Sequence, residues 1–112
     1  MGTRDYLGEF ELVVLLSLAR LDDEAYGMTI QQEIHGVTGR DPSIPSVYVT
    51  LNRLEKKGYV TSRTGDSSAE RGGRAKKYYS LTESGTEALE LSQSMLSRLW
   101  DGVPLRSSPA KS

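Results

Sequence analysis

The sequence predicts a mainly α fold with one small β-hairpin, an α+β architecture. Two observations carry this. Four stretches place apolar residues at the 3.6-residue period of a helix. Two short, β-branched or aromatic stretches, 59–63 and 77–81, flank a Gly-, Ser- and Arg-rich loop, the pattern of a hairpin. The chain has 112 residues, which fits one compact domain. A core that small makes a partner subunit a natural source of added stability.

The first helix is predicted over 9–21, where Phe10, Val13, Val14, Leu18 and Leu21 recur at helical spacing and Leu15 and Leu16 widen the apolar face. Asp22, Asp23 and Glu24 break the run with a polar turn. A second, shorter helix is predicted over 26–36, with Tyr26, Ile30 and Ile34 on one face and Gly36 as its stop. Asp41-Pro42 disfavours helix. Ser43 caps a third helix over 44–57, with Pro45 in the first turn, where a missing N–H costs nothing. Ile44, Val47, Leu51 and Leu54 form its inward stripe, and Gly58 ends it beside Lys56 and Lys57.

Strands follow at 59–63 and 77–81. Thr82 caps a last helix over 83–100. Along it Ala88, Ser92, Met95 and Leu99 form one seam, and Leu89, Leu96 and Trp100 a second, the spacing of a helix that packs along a partner. Residues 102–112, with two prolines and several serines, are expected to be a disordered tail.

Helix, helix, helix, hairpin, helix is the order of a winged helix-turn-helix with an added C-terminal helix. It divides the chain into a DNA-binding unit, 1–82, a dimerisation helix, 83–101, and the tail, 102–112. The third helix is then the candidate to enter the major groove, whose width admits one helix. With its apolar stripe inward, Ser46, Val49, Thr50, Arg53 and Lys57 are expected outward, with Tyr48 at the edge. Ser46 and Thr50 suit base edges or phosphates, Val49 a thymine methyl, Arg53 guanine or phosphate, and Lys57 phosphate. In the wing, Arg71, Gly72, Gly73, Arg74 and Lys76 set three charges around two glycines, which lets a loop follow a groove and draws arginine to its negative potential.

Net charge alone points elsewhere. With 14 basic and 15 acidic residues the chain carries −1. Position changes this. Residues 1–39 carry −5 (two basic, seven acidic), 40–79 carry +5 (nine basic, four acidic), and 80–112 carry −1 (three basic, four acidic). A basic stretch also suits a merely solvated face, and on charge alone the two readings stand about even. The coincidence of the charge with the third helix and the wing favours a double-stranded DNA partner.

Other chemistry finds no support. There are no cysteines, which excludes disulfides, zinc-thiolate sites and thiol catalysis. His35 is the one histidine, and it has no metal-ligating neighbours in sequence. The serines lack a nucleophile-elbow pattern, and Gly72-Gly73-Arg74 lacks a phosphate-loop ending. Neither an enzyme, a cofactor nor a metal is expected. The apolar run from Leu12 to Ala19 is too short for a bilayer and follows acids rather than a positive flank, so a cytoplasmic protein without a membrane partner is expected.

The segments GEFELVVLLSLARL (8–21), AYGMTIQQEI (25–34), SVYVTLNRLEKKGYV (46–60) and GGRAKKYYSLTESGTEAL (72–89) together resemble the PadR family of bacterial winged-helix transcription regulators. The run from Tyr48 resembles that family's recognition helix leading into the wing, and the run from Lys77 its return strand and the start of its dimerisation helix. The resemblance implies a homodimer, a repressor role and the smaller kind of PadR protein, with one helix after the wing. It also implies a small aromatic effector, with Met95 and Trp100 as pocket candidates. The implied dimer contact is Leu89, Ser92, Met95, Leu96, Leu99 and Trp100. Two other readings stay open: a winged-helix protein-interaction module, and a ligand-sequestering dimer without an operator.

Overall fold

A computed structural model of the chain describes residues 6–65 and 76–105. Its elements are α1 (Glu9–Leu21), a 3-10 turn (Asp22–Glu24), α2 (Gly27–Thr38), α3 (Ile44–Lys56), β1 (Val60–Thr64), β2 (Lys77–Leu81) and α4 (Glu83–Trp100). This is the mainly helical fold with one hairpin that the periodicities predict. Arg71, Gly72, Gly73 and Arg74, and most of the expected tail, lie outside the described residues.

Each helix starts where a local donor or acceptor closes its first turn. The Gly8 N–H donates to Glu11 Oε1 at 2.7 Å before α1. The Tyr26 N–H donates to Thr29 Oγ1 at 3.0 Å before α2. Ser43 Oγ accepts from the Ser46 N–H ahead of α3, and Thr82 Oγ1 from the Gly85 N–H ahead of α4.

Several boundaries shift from the sequence reading, two of them for a clear physical reason. Helix α2 runs through Gly36 to Thr38 and stops at Gly39, the residue that takes the left-handed φ of 79°. An exposed glycine inside a helix costs only about 1 kcal/mol, whereas the reversal after Thr38 favours a residue without a Cβ. Strand β1 begins at Val60 rather than Tyr59. The Tyr59 N–H closes the end of α3 on the Leu54 carbonyl, and its own carbonyl accepts from the Thr82 N–H.

The three-helix core is Val14, Leu15 and Leu18 of α1, Ile30 and Ile34 of α2, and Val47, Leu51 and Leu54 of α3, closed by Ala25, Val60 and Tyr79. The antiparallel hairpin pairs Val60 with Leu81 and Ser62 with Tyr79. Strand β2 is also tied to the segment before α2, through a bridge between Tyr26 and Tyr78 and the Tyr79 N–H to the Ala25 carbonyl at 2.8 Å. The wing is thus anchored to the start of α2, at its stem.

Helix α4 leaves this body at a tight crossing. A Cβ on Gly85 would lie 2.2 Å from the Tyr59 carbonyl oxygen, so glycine alone fits there. At 18 residues it extends about 27 Å. Its buried positions are Gly85 and Ser92, and its last turns are exposed.

Candidate nucleic-acid interface

Helix α3 carries the inward stripe Val47, Leu51 and Leu54, each fully buried. Its opposite face is exposed and polar. Val49 is 56% exposed, and with Asn52, Arg53 and Lys56 it lines one shallow surface depression. Tyr48 stands at the edge of this face, 36% exposed. Its phenol lies across the start of α2, where a Cβ on Gly27 would come within 2.4 Å of it.

Of the residues expected on this face, Val49, Arg53 and Tyr48 are where the stripe puts them. Ser46 is half-buried and donates its hydroxyl to the Ser43 carbonyl at 2.8 Å, so it serves the helix start. Thr50 corrects the expectation: it is 5% exposed, on the flank turned toward the core, and presents no hydroxyl outward. Lys57 corrects it as well. Helix α3 ends one residue earlier, and the Lys57 ammonium turns back to Glu11 of α1, with Nζ 3.0 Å from Oε2 and 3.2 Å from Oε1. Asn52 and Lys56 take the outward places instead. Stepping three from Val49 gives Asn52, and four from Asn52 gives Lys56, so the helical period alone could have found both.

Glu11 sits among opposing influences. Burial alone would raise its carboxyl pKa. The Gly8 N–H, the hydrogen bond and charge of Lys57, and the charge of Arg53 outweigh burial and hold it below the usual carboxylate range. The acidic first turn of α1 is therefore matched against the basic last turn of α3.

The stem of the wing is a rack of cations on phenol rings. Lys76 Nζ lies 4.6 Å from the Tyr26 ring centroid, Arg63 4.8 Å from that of Tyr78, and Lys77 5.7 Å from that of Tyr79. Tyr26 and Tyr78 meet edge to face at 5.3 Å. Arg63 and Lys77, which the sequence reading left in the strands, join the expected Lys76 here. Burial, with the charge of Glu55 and the Tyr48 phenol, pushes the Tyr79 hydroxyl above its ordinary pKa.

At the far end of the molecule α4 exposes Leu96, Leu99 and Trp100, at 39%, 64% and 59%. An open groove of about 370 Å³ runs between α4 and α1, walled by Leu12 and Leu16 on one side and by Leu89, Leu96 and Trp100 on the other. Leu89 is half-buried against the core. Ser92, expected on the outer seam, is 7% exposed and packed within its own chain. Met95 is half-buried and does not line the groove, while Trp100 does. Leu12 and Leu16 were not anticipated as groove residues. Their signal was an apolar face on the first helix wider than a three-helix core needs.

The family model described as the transcriptional regulator PadR-like family matches residues 14–91, from the core of α1 into the first half of α4. The chain belongs to this PadR-like family. Among solved structures, a PadR family transcription regulator from Clostridium difficile is 23% identical, with a TM-score of 0.69 over 84% of this chain and 93% of that one. A PadR family regulator from Eggerthella lenta is 25% identical, with a TM-score of 0.66 over 84% and 81%. A PadR-like regulator from Bacillus cereus is 26% identical, with a TM-score of 0.63 over 82% and 87%. No curated protein matches the chain. The PadR-like membership makes the protein a transcriptional regulator. Among the described residues no helix is long and apolar enough to cross a membrane, and no group of His, Cys, Asp and Glu could hold a metal ion.

Proposed function

We propose that this PadR-like protein is a dimeric, sequence-specific repressor that binds an inverted-repeat operator. The observation that carries this is the exposed face of α3, where Val49, Asn52, Arg53 and Lys56 stand together opposite a fully buried stripe. Asparagine is a bidentate partner for adenine, arginine for guanine, and valine an apolar contact for a thymine methyl. Lys56 supplies charge at the rim for phosphate. The cations at the wing stem add backbone contacts beside the base-reading helix, and Arg71 and Arg74 of the wing loop belong to the same reading.

The second copy supplies the symmetry. Leu96, Leu99 and Trp100 are large apolar residues on a helix end that its own chain leaves uncovered. A homodimer through α4 would cover them, with Leu89 and Met95 nearer the body of the interface. It would set two α3 helices to successive major grooves, about 34–36 Å apart. The groove beside Trp100 fits a small aromatic effector. An effector seated there would bias the angle between α4 helices and so the spacing of the recognition helices.

The same groove favours a second reading, a dimer that sequesters aromatic ligands and has no operator. Selection of bound genomic fragments separates the two. Recovery of fragments sharing an inverted repeat supports the repressor. Quenching of Trp100 by aromatic compounds, with no enriched sequence, supports sequestration.

A further inference from the structure

The start of α2 lies between the exposed face of α3 and the wing, and it gathers donors from three elements. The Tyr26 ring is fixed edge-on against Tyr78 at 5.3 Å, with an interplanar angle of 70°. The Lys76 ammonium rides over that ring at 4.6 Å and reaches within 3.5 Å of the Tyr26 hydroxyl oxygen. Across the first turn, the Tyr48 phenol from α3 lies on Gly27, close enough that a Cβ there would overlap it. Lys76 is exposed, Tyr48 36% exposed and Tyr26 half-buried.

Tyr26, Tyr48 and Lys76 lie outside the buried core, which is aliphatic apart from Tyr79. A phenol that receives an ammonium N–H still has its own O–H to give. Two phenols that can each donate an O–H and one ammonium beside them supply donors and a positive charge to this surface, a set that suits an anionic oxygen. The ring contacts hold Tyr26 and Lys76 in place, so little ordering of those two remains to be done on binding.

We infer that Tyr26, Lys76 and Tyr48 form a binding site for one phosphodiester of the DNA backbone, between the bases read by α3 and the groove followed by the wing. The inference rests on the DNA-binding reading above and deepens it. It assigns Tyr26, which is neither on the recognition helix nor in the wing, as a backbone contact. The site fixes register on the duplex and carries no sequence information itself.

The test uses the full chain and the shortest duplex recovered by genomic selection, with single methylphosphonate linkages scanned along each half-site. One position is expected to weaken wild-type binding about tenfold when neutralised. With Lys76→Met, neutralising that same position should change affinity less than about twofold, since its partner is gone. The slope of log affinity against log salt should also flatten by about 0.9 for each protomer. Tyr26→Phe keeps the ring under Lys76 and removes only the hydroxyl. It should weaken every duplex about tenfold without changing the salt slope. Lys76→Arg should restore sensitivity at the coupled position, and matched melting temperatures show that the variants fold.

Duplex binding with no linkage coupled to Lys76, or Tyr26→Phe binding like wild type, overturns the inference and leaves DNA binding standing. Failure to bind any duplex overturns both. Inorganic phosphate at matched ionic strength should compete no better than chloride. Competition that disappears in Tyr26→Phe would assign the site to a free phosphate ligand instead and also overturn the inference.

Discussion

Lys57 Nζ sits 3.0 Å from Glu11 Oε2, joining the residue that caps the candidate recognition helix to the first turn of α1. The Glu11 side chain is 8% exposed and that of Lys57 22%, so water screens the pair little. Removing Lys57 leaves the Glu11 carboxylate without its ion-pair partner, held by the Gly8 N–H. Lys57→Met should destabilise the fold by about 1–3 kcal/mol, less than the 3–5 kcal/mol of a fully buried pair because Lys57 keeps some solvent contact. A urea titration measures this directly.

The same pair sets an acid limit. The Glu11 carboxyl titrates below its ordinary value in the folded chain. Its contribution to stability is therefore complete above the ordinary carboxylate pKa and is lost as pH falls through the lowered folded value. Urea midpoints measured from neutral pH downward should fall across that acid window in the wild type. In Glu11→Gln, which has no proton to take up, the decline should be shallower.

Two glycines should respond differently to alanine. At Gly27 the obstruction is the Tyr48 phenol, the far end of a flexible and partly exposed side chain. It can swing away, so Gly27→Ala should cost about 1 kcal/mol or less in stability, at the low end of overpacking, while weakening DNA binding by displacing Tyr48. At Gly85 the obstruction is the Tyr59 carbonyl, which is backbone and already holds the Thr82 N–H. Gly85→Ala should cost about 3 kcal/mol or more, since that clash is relieved only by a backbone shift. Thermal melts with binding assays on both variants separate the two cases.

The exposed end of α4 should govern assembly. Leu99→Glu places a charge on a residue that is 64% exposed in the single chain. It should leave the monomer's melting behaviour nearly unchanged and shift sedimentation from dimer to monomer. A surface carboxylate disturbs little in solvent but becomes an unpaired charge in an interface core.

Much of this architecture is legible in the sequence because its signals are local. Ser43, Thr82 and Pro45 mark helix starts, and the 3, 4, 3 steps of Ile44, Val47, Leu51 and Leu54 fix which way α3 faces. What escaped depends on contacts distant in sequence. Lys57 looks like a phosphate ligand until α1 brings Glu11 to it across 46 residues. Thr50 looks outward until its flank is seen to be covered. Trp100 reads as an interface residue in sequence, but the groove it shares with Leu12 and Leu16 exists only once α4 lies along α1. The end of α2 was missed for a local reason, since Gly36 and Gly39 carry the same stop signal and only the chain reversal selects between them.

The central claim is that the exposed face of α3 reads DNA bases, and Arg53 tests it most directly. Fragments selected from genomic DNA by the wild type and by Arg53→Ala should share an inverted-repeat frame. The variant should lose preference at one symmetric base position and bind the wild-type site more weakly by about 1–3 kcal/mol. The same enriched sequences with unchanged affinity for both proteins would contradict the account.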